Sequence, residues 1–355
     1  MTDAVIDDFR VRIMSRQPLR IRGSGSKDFH GGPLAGEVLE TAAHVGIVSY
    51  EPSELVVTVR CGTPLATLKS ALAERRQFLP FEAPEFGPGA TVGGVVATGL
   101  SGPRRMAVGS LRDFVLGVTL MDGEGRVLKF GGEVMKNVAG YDVSRLMAGS
   151  LGTLGLILEV SLKVLPLPFA EASLVFEMPQ AKALETMNRW AGQPLPVSAT
   201  CWAGNRLNVR LSGAEAAVGA ARVALGGEGM DAAEAATFWR DLREQEAPFF
   251  VEDRGPLWRL AVPPVAGALD LPGQPLLEWG GAQRWLRGDL DLGMVRAAAT
   301  AAGGHATLFR GADDARRAAG VFAPLSPPLA TIHRRLKAAF DPHGVFGPGR
   351  LYPGL

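Results

Sequence analysis

Two cysteines, Cys61 and Cys201, are all that this 355-residue chain contains, and they lie far apart with no CxxC spacing. That excludes an iron–sulfur cluster or a zinc site built on thiolates and leaves both as plain buried thiols. Histidine is nearly as scarce. His30, His44, His305, His333 and His343 include no HxH or HxxxH pair, so no metal site is expected. A surplus of one charge is also missing, with 37 Lys and Arg against 36 Asp and Glu. No strong field therefore favours nucleic acid or an anionic membrane as a partner. No run approaches the ~20 apolar residues of a spanning helix. Residues 1–20 are interrupted by Asp3, Asp7, Asp8, Arg10, Arg12 and Arg16, which leaves no signal-peptide core. The expectation is a cytoplasmic protein that meets a membrane, if at all, at its inner face and through partners.

Glycine is what the chain has in quantity, 45 residues of it. The stretch 90–102 (ATVGGVVATGLSG) carries no charge and sets Gly93, Gly94, Gly99 and Gly102 among small residues. A backbone without side chains can approach a ligand closely and aim its N–H groups at oxygens. Two further loops share this character, Arg22-Gly23-Ser24-Gly25-Ser26-Lys27 and Gly149-Ser150-Leu151-Gly152-Thr153-Leu154-Gly155. The first is neither a GxxxxGK[ST] loop nor a GxGxxG turn. Three such loops near strand ends, all in one half of the chain, point to one large phosphate-bearing cofactor.

The length suits two domains, because single cores stop growing near ~250–300 residues. A helix is expected over 5–15, stopped by Pro18, then a strand over 19–22 and a buried strand over 55–59. Thr63 should cap a helix that has Pro64 first and Leu65, Leu68 and Leu72 on one face. Strands 115–121 and 126–130 flank the turn Asp122-Gly123-Glu124-Gly125, a hairpin signal, and another strand runs over 154–164. Pro166 and Pro168 mark a boundary. Beyond it, helices over 181–190, 214–225, 232–244, 290–301 and 329–339 alternate with strands over 174–178, 207–211, 257–262 and 305–309. The expected organisation is α+β, with a cofactor domain over 1–168 and a smaller α+β cap domain over 169–355.

Several segments carry a family likeness. They are Pro18-Leu-Arg-Ile-Arg22-Gly-Ser-Gly-Ser26, Ala90-Thr-Val-Gly-Gly94, Val108-Gly-Ser-Leu-Arg-Asp113, Gly140-Tyr-Asp142 with Gly149–Gly155, and the ending Asp341-Pro…Pro348-Gly-Arg350. On these the chain resembles flavoproteins of the vanillyl-alcohol oxidase/PCMH type, which hold FAD between two α+β subdomains. The segments Ala97-Thr-Gly-Leu-Ser-Gly-Pro-Arg-Arg105 and Val134–Arg145 narrow the likeness to the FAD-binding subunits of glycolate oxidase, the GlcE type. The resemblance implies that Arg22, Gly23, Ser24, Gly25, Ser26 and Lys27 bind the FAD pyrophosphate. It sets Pro84, Thr91, Val92, Gly93 and Gly94 along the isoalloxazine and ribityl chain, and Ala97, Ser101, Gly102 and Gly109 further along that wall, with Arg105 as a cofactor-binding cation. Gly152, Gly155 and Ile157 would face the adenosine end. Two departures stand out. The first loop reads Gly-Ser-Gly-Ser where the family is richer in glycine, and Gly347 occupies the Asn position of the family's Phe-Asn-Pro-Gly-Arg ending.

The resemblance also implies partners: a catalytic FAD subunit that oxidises a small 2-hydroxy acid, and an iron–sulfur subunit. The hydroxy-acid dehydrogenases of the superfamily carry a His-x-Gly-Asp-Gly-Asn stretch and a later Glu-His, and this chain has neither. A base of near-neutral pKa is the usual device for such oxidation. Its absence leaves the catalytic residues unknown and makes this chain an accessory or electron-transferring flavoprotein. Two alternatives stay open. One is a self-sufficient FAD-dependent 2-hydroxy-acid dehydrogenase with His305 or Tyr141 as base, the other a non-catalytic scaffold. Arg105 is a candidate clamp for a carboxylate or the flavin phosphates, whereas Arg104, Arg310 and Arg350, which could do the same, are expected to be solvated surface or intersubunit arginines, and a covalent flavin link at His30 is not expected. Trp239, Trp258, Trp279 and Trp285 are the aromatics to examine for a partner interface.

Overall fold

The computed structural model describes residues 2–132, 142–252 and 255–355. Two compact units emerge. Unit 1 comprises Met1–Leu100, Ser110–Pro166 and Asp313–Leu355, and unit 2 comprises Ser101–Gly109 and Leu167–Ala312.

In unit 1 the helix Thr2–Met14 brings Phe9 and Ile13 onto one face, one turn apart. Both are buried against Leu19, Leu39, Met121, Leu156, Val345 and Phe346, and each such side chain contributes ~1.5–3 kcal/mol. Strand Leu19–Arg22 pairs in parallel with Glu37–Glu40. Leu19 also bridges Phe346, and the Gly347 N–H donates to the Leu19 carbonyl at 2.8 Å. The chain's end is thereby stitched beside its first strand. A five-stranded antiparallel sheet runs Ile47–Glu51, Val56–Arg60, Leu156–Lys163, Val115–Met121, Val127–Gly131 in spatial order. The last two strands form the expected hairpin. In its turn the buried Asp122 carboxylate accepts from the N–H groups of Glu124 and Arg126 at 3.0 and 2.9 Å.

Asp341 is the knot of the C-terminal segment. It follows the helix Pro327–Phe340, and its fully buried carboxylate accepts from the N–H groups of Val345 and Phe346 at 2.9 and 2.7 Å. Lys337 reaches it at 2.7 Å and also donates to the carbonyls of Thr153 and Phe346. Burial pushes the Lys337 pKa down while Asp341 pulls it up.

Two local expectations are corrected. The helix Leu65–Ala73 is present with Leu65, Leu68 and Leu72 buried, but Pro64 is its N-cap. Thr63 does not cap it, and its hydroxyl instead accepts from the Gly46 N–H at 2.9 Å. The glycine stretch 90–102 is not a flat loop either. Val92–Thr98 is helical, capped by the Thr91 hydroxyl on the Gly94 N–H and ended by Gly99 at φ +62°. Gly and Val are poor helix formers, yet burial of Val92, Val95 and Val96 overrides that preference. Gly93 lies against the Cys61 backbone so closely that a Cβ would come within 2.7 Å of the Cys61 Cβ. Its missing side chain serves helix-to-strand packing.

Unit 2 is an eight-stranded antiparallel sheet. Its order is Glu228–Gly229, Ala170–Glu177, Arg206–Gly213, Val197–Ala203, Leu276–Glu278, Gln283–Arg287, Leu257–Ala261, His305–Arg310. Alternation along these strands sorts side chains onto two faces. One face carries Leu174, Trp202, Leu207, Val209, Leu211 and Leu277, which pack with Ala183, Leu184, Met187 and Trp190 of helix Gln180–Ala191 and Val218 of helix Glu215–Leu225. The other face, set by the pairings Arg259↔Trp285, Glu278↔Gln283 and Cys201↔Glu278, is polar. Trp239, Trp258, Trp279 and Trp285 are all buried, so none is an exposed aromatic for a partner.

Candidate functional site

A cleft opens in unit 1. It is assembled from strand Leu19–Arg22 and the loop after it, a second short loop at Pro33, Leu34 and Ala35, the helix Val92–Thr98, Leu151 with Gly152, and the chain's end at Gly347 and Arg350. Of the residues singled out from the sequence, Arg22, Gly23, Ser24, Gly25, Ser26, Lys27, Thr91, Gly94, Ala97 and Gly152 line it together.

The others lie elsewhere. Val92 and Ile157 are buried in the packing of unit 1, and Gly93 lies against Cys61. Gly155 turns at φ +149° where a Cβ would meet the Met121 carbonyl. Pro84 precedes Glu85, whose carbonyl accepts from the Ser26 hydroxyl at 2.8 Å and Lys27 Nζ at 3.1 Å, so that segment fixes the first loop from behind. Ser101, Gly102, Arg105 and Gly109 belong to unit 2. Arg20, Ile21, Asp28, Pro33, Leu34, Ala35 and Thr98 were missed as lining, whereas Arg350, a candidate clamp, lines it. Only the glycine pair at 31–32 and Pro33, just past the first loop, could have signalled part of that wall.

The loop's geometry explains its composition. A Cβ on Gly23 would strike the Thr91 hydroxyl, and one on Gly25, at φ +77°, would strike the Arg22 guanidinium. Neither position admits a side chain. The backbone N–H groups of Ser24 and Gly25 find no acceptor among the described residues. The helix Val92–Thr98 offers no such donors. Val92 N donates to Thr63 O, Gly93 N to Cys61 O, Gly94 N to Thr91 Oγ1 and Val95 N to Thr91 O. That wall supplies shape, and the donors expected from it are spent inside the fold.

Four cationic side chains line the cleft, Arg20, Arg22, Lys27 and Arg350, against one carboxylate, Asp28, which Arg22 holds at 3.0 Å. Arg350 is nearly buried and donates to the carbonyls of Gly32 and Asp28, clamping the second loop to the chain's end. Burial lowers its pKa to about 10, with Asp28 opposing and Arg317 and Arg20 adding to the shift, so it stays charged at neutral pH. It is not a solvated surface arginine. Leu151 sits at φ +52°, a left-handed conformation that costs ~1–2 kcal/mol for a residue with a Cβ. A surplus of positive charge, exposed N–H groups on a side-chain-free turn and a small-residue wall fit a dinucleotide's pyrophosphate and ribityl chain.

Comparison with known proteins agrees with this geometry. Residues 4–131 match the model of an FAD binding domain. The chain is 49% identical over 354 residues to the glycolate oxidase subunit GlcE of Escherichia coli K12, covering 100% of this chain and 98% of that one. The chain belongs to the GlcE family. Its cofactor is FAD, and its class is that of oxidoreductase subunits. Outside the family, the glycolate oxidase subunit GlcD of Bacillus subtilis is 32% identical over 163 residues, 45% of this chain and 34% of that one. A D-lactate dehydrogenase of Anaerostipes hadrus is 33% identical over 171 residues, 46% and 35% of the two chains. The solved structure of alkyldihydroxyacetonephosphate synthase superposes with a TM-score of 0.66 at 14% identity, covering 96% of this chain and 74% of that one. That likeness shows the fold, the PCMH-type α+β fold the sequence led us to expect.

Neither His305 nor His30 of this GlcE-family chain lines the cleft. His305 opens the edge strand of the unit 2 sheet, and burial, then Arg259, lowers its pKa. His30 is enclosed edge-on by Phe322 at 5.4 Å and Phe29 at 6.4 Å, and it does not line the cleft. Tyr141 lies outside the described residues, as do 134–140 of the family stretch. Arg104 is a buried structural residue that bonds Ser212 at 2.9 Å and pairs with Glu171. Both thiols are inert, Cys61 being pushed up to about 12 and Cys201 well above its ordinary range by burial. No group of metal-ligating side chains occurs among the described residues, and none of their helices is long and apolar enough to cross a membrane.

Proposed function

We propose that this chain is the FAD-bearing companion subunit of a glycolate oxidase assembly, in which a GlcD-type flavoprotein oxidises glycolate to glyoxylate and an iron–sulfur subunit passes electrons onward. The observation that carries the companion role is the make-up of the cleft. Its described lining holds four cations and a glycine turn but no histidine, tyrosine or cysteine. The cleft suits a dinucleotide, and the one carboxylate in its described lining, Asp28, is held by Arg22.

In this reading the N–H groups of Ser24 and Gly25 and the side chains of Arg22 and Lys27 receive the pyrophosphate. Gly94, Ala97 and Thr98 leave a flat slot, and Gly152 and Gly347 allow close approach on the opposite wall. Bound FAD supplies two-electron redox chemistry. The residues bind it, orient it and exclude water from it. The visible spectrum under anaerobic conditions tests the proposal. A flavin band that persists when glycolate is added to the isolated chain, and bleaches once the GlcD-type partner is present, is the expected result. Bleaching by the isolated chain would make it a self-sufficient dehydrogenase. A purified chain with no flavin band, which FAD does not restore, would make it a scaffold.

A further inference from the structure

The first loop of the cleft sets a carboxylate beside the donors that suit an anion. Arg22 Nε faces Asp28 Oδ2 at 3.0 Å, and Glu40 Oε1 stands 3.9 Å from Arg22 Nη1. Of these two acids only Asp28 lines the cleft. The Arg22 guanidinium folds back over the turn, where a Cβ on Gly25 would strike it. It therefore lies on the same turn as the N–H groups of Ser24 and Gly25, which find no acceptor among the described residues.

Two features mark the Arg22–Asp28 pair as one that yields to a stronger partner. Arg22 Nε is closed to solvent and makes no hydrogen bond among the described residues, although the carboxylate stands at 3.0 Å. The contact is one of charge, without the directed bond that makes such pairs strong. Both side chains also keep about a third of their surface exposed, 37% and 33%, and pairs in that setting are weak. Asp28 is held in place by its main chain as well. Its N–H donates to the Gly25 carbonyl at 3.0 Å, and its own carbonyl accepts from Arg350 Nη2 at 2.9 Å. These bonds keep the Asp28 carboxylate beside the turn when Arg22 takes another partner. A pyrophosphate offers Arg22 several oxygens and two negative charges where Asp28 offers one.

We propose that Asp28 is an internal competitor of the FAD pyrophosphate. Its carboxylate and the pyrophosphate claim the same guanidinium and repel each other, so Asp28 holds the affinity for FAD below what the turn and its cations would otherwise give. The inference rests on placing the pyrophosphate at the Arg22–Lys27 loop, as proposed above, and adds to that loop a residue that works against binding. Removing its charge makes the flavin harder to lose, the opposite of what removing a binding residue does.

The test is the dissociation constant for FAD, from equilibrium dialysis of the full-length, flavin-loaded chain at constant ionic strength, read by flavin absorbance. Asp28→Asn, which keeps the shape and removes the charge, should hold FAD about two- to tenfold more tightly. At a fixed FAD concentration its melting temperature should also rise further on adding FAD than that of the wild type. The gain should shrink in an Arg22→Gln background, because part of it passes through Arg22. Asp28→Asn that holds FAD no more tightly than the wild type overturns the competitor. A gain undiminished by Arg22→Gln overturns the shared guanidinium. Should Asp28→Asn fail to fold, Asp28→Ser is read by the same criteria. Arg22→Gln alone separates this inference from the placement beneath it. Wild-type affinity for FAD in Arg22→Gln refutes the placement, whereas weaker FAD in Arg22→Gln with no gain in Asp28→Asn keeps the placement and refutes the competitor.

Discussion

The cleft of unit 1 and the polar face of unit 2 are built by opposite means. The cleft is made mostly by what is missing, with Gly23 and Gly25 closed to any side chain and the donors of Ser24 and Gly25 belonging to the backbone. The sheet face is made of long side chains that hold one another, Arg259 on Gln283, Gln283 on Glu278, Trp285 on Glu278. A backbone site tolerates changes of side-chain chemistry and fails when volume is added. A side-chain network tolerates little change of chemistry, because each buried group it loses leaves another unsatisfied.

The largest effect should come from undoing what brings the chain's end to the cleft. Asp341→Ala removes the acceptor for Val345 N, Phe346 N and Lys337, leaving a buried ammonium without its counter-charge. A loss of ~3–5 kcal/mol is expected, read as a lower denaturant midpoint together with loss of flavin. A stable Asp341→Ala protein with full flavin would show that the chain's end does not hold the cleft together. Next comes the volume test. Gly23→Val or Gly25→Val should abolish flavin content, whereas Ser24→Ala and Ser26→Ala should each weaken FAD by only ~0.5–1.5 kcal/mol, the worth of one hydrogen bond. Flavin absorbance per chain after gel filtration decides it, and a serine effect larger than the glycine effect would reverse the contrast between the two regions.

The smallest effect concerns His44, buried in unit 1 and stacked edge-on with Phe9 at 6.2 Å. Burial, then Arg60, pushes its pKa below the ordinary 6.5, with a hydrogen bond to the Leu158 backbone opposing. The unfolded chain therefore gains a proton near pH 6.5 that the folded chain resists. Its contribution is whole above that pH and is lost as pH falls toward the lowered folded value. His44→Gln should flatten the fall in stability between about pH 6.5 and 5, measured by urea unfolding at each pH. An unchanged slope would show that the titration lies in other groups.

The same contrast explains what could be read in advance. The Asp122–Gly125 hairpin and the helix Ala232–Glu244 were legible because turn chemistry and 3.6-residue periodicity are local. Arg22–Lys27 and Gly152 were legible because glycine loops are contiguous in sequence. The helix Val92–Thr98 was not, since its composition argues against helix and only burial of Val92, Val95 and Val96 produces it. The cluster of Arg105, Arg259, Glu278 and Gln283 was invisible for another reason. Strand register makes Arg259, Glu278 and Gln283 neighbours, and the short helix Arg105–Val108 brings Arg105 over the Trp279 ring.

The last turns of the chain carry a consequence for how the protein is made. Unit 1 opens before unit 2 in the sequence and is finished after it, by the segment Asp313–Leu355 that brings Gly347 and Arg350 into the cleft wall. On the ribosome the glycine loops emerge early, and Leu167–Ala312, most of unit 2, is synthesised between them and their closing segment. A chain released before that segment has the turn but not the clamp from Arg350 to the carbonyls of Gly32 and Asp28. The wall that Gly347 and Arg350 supply is therefore the part of the cleft made last.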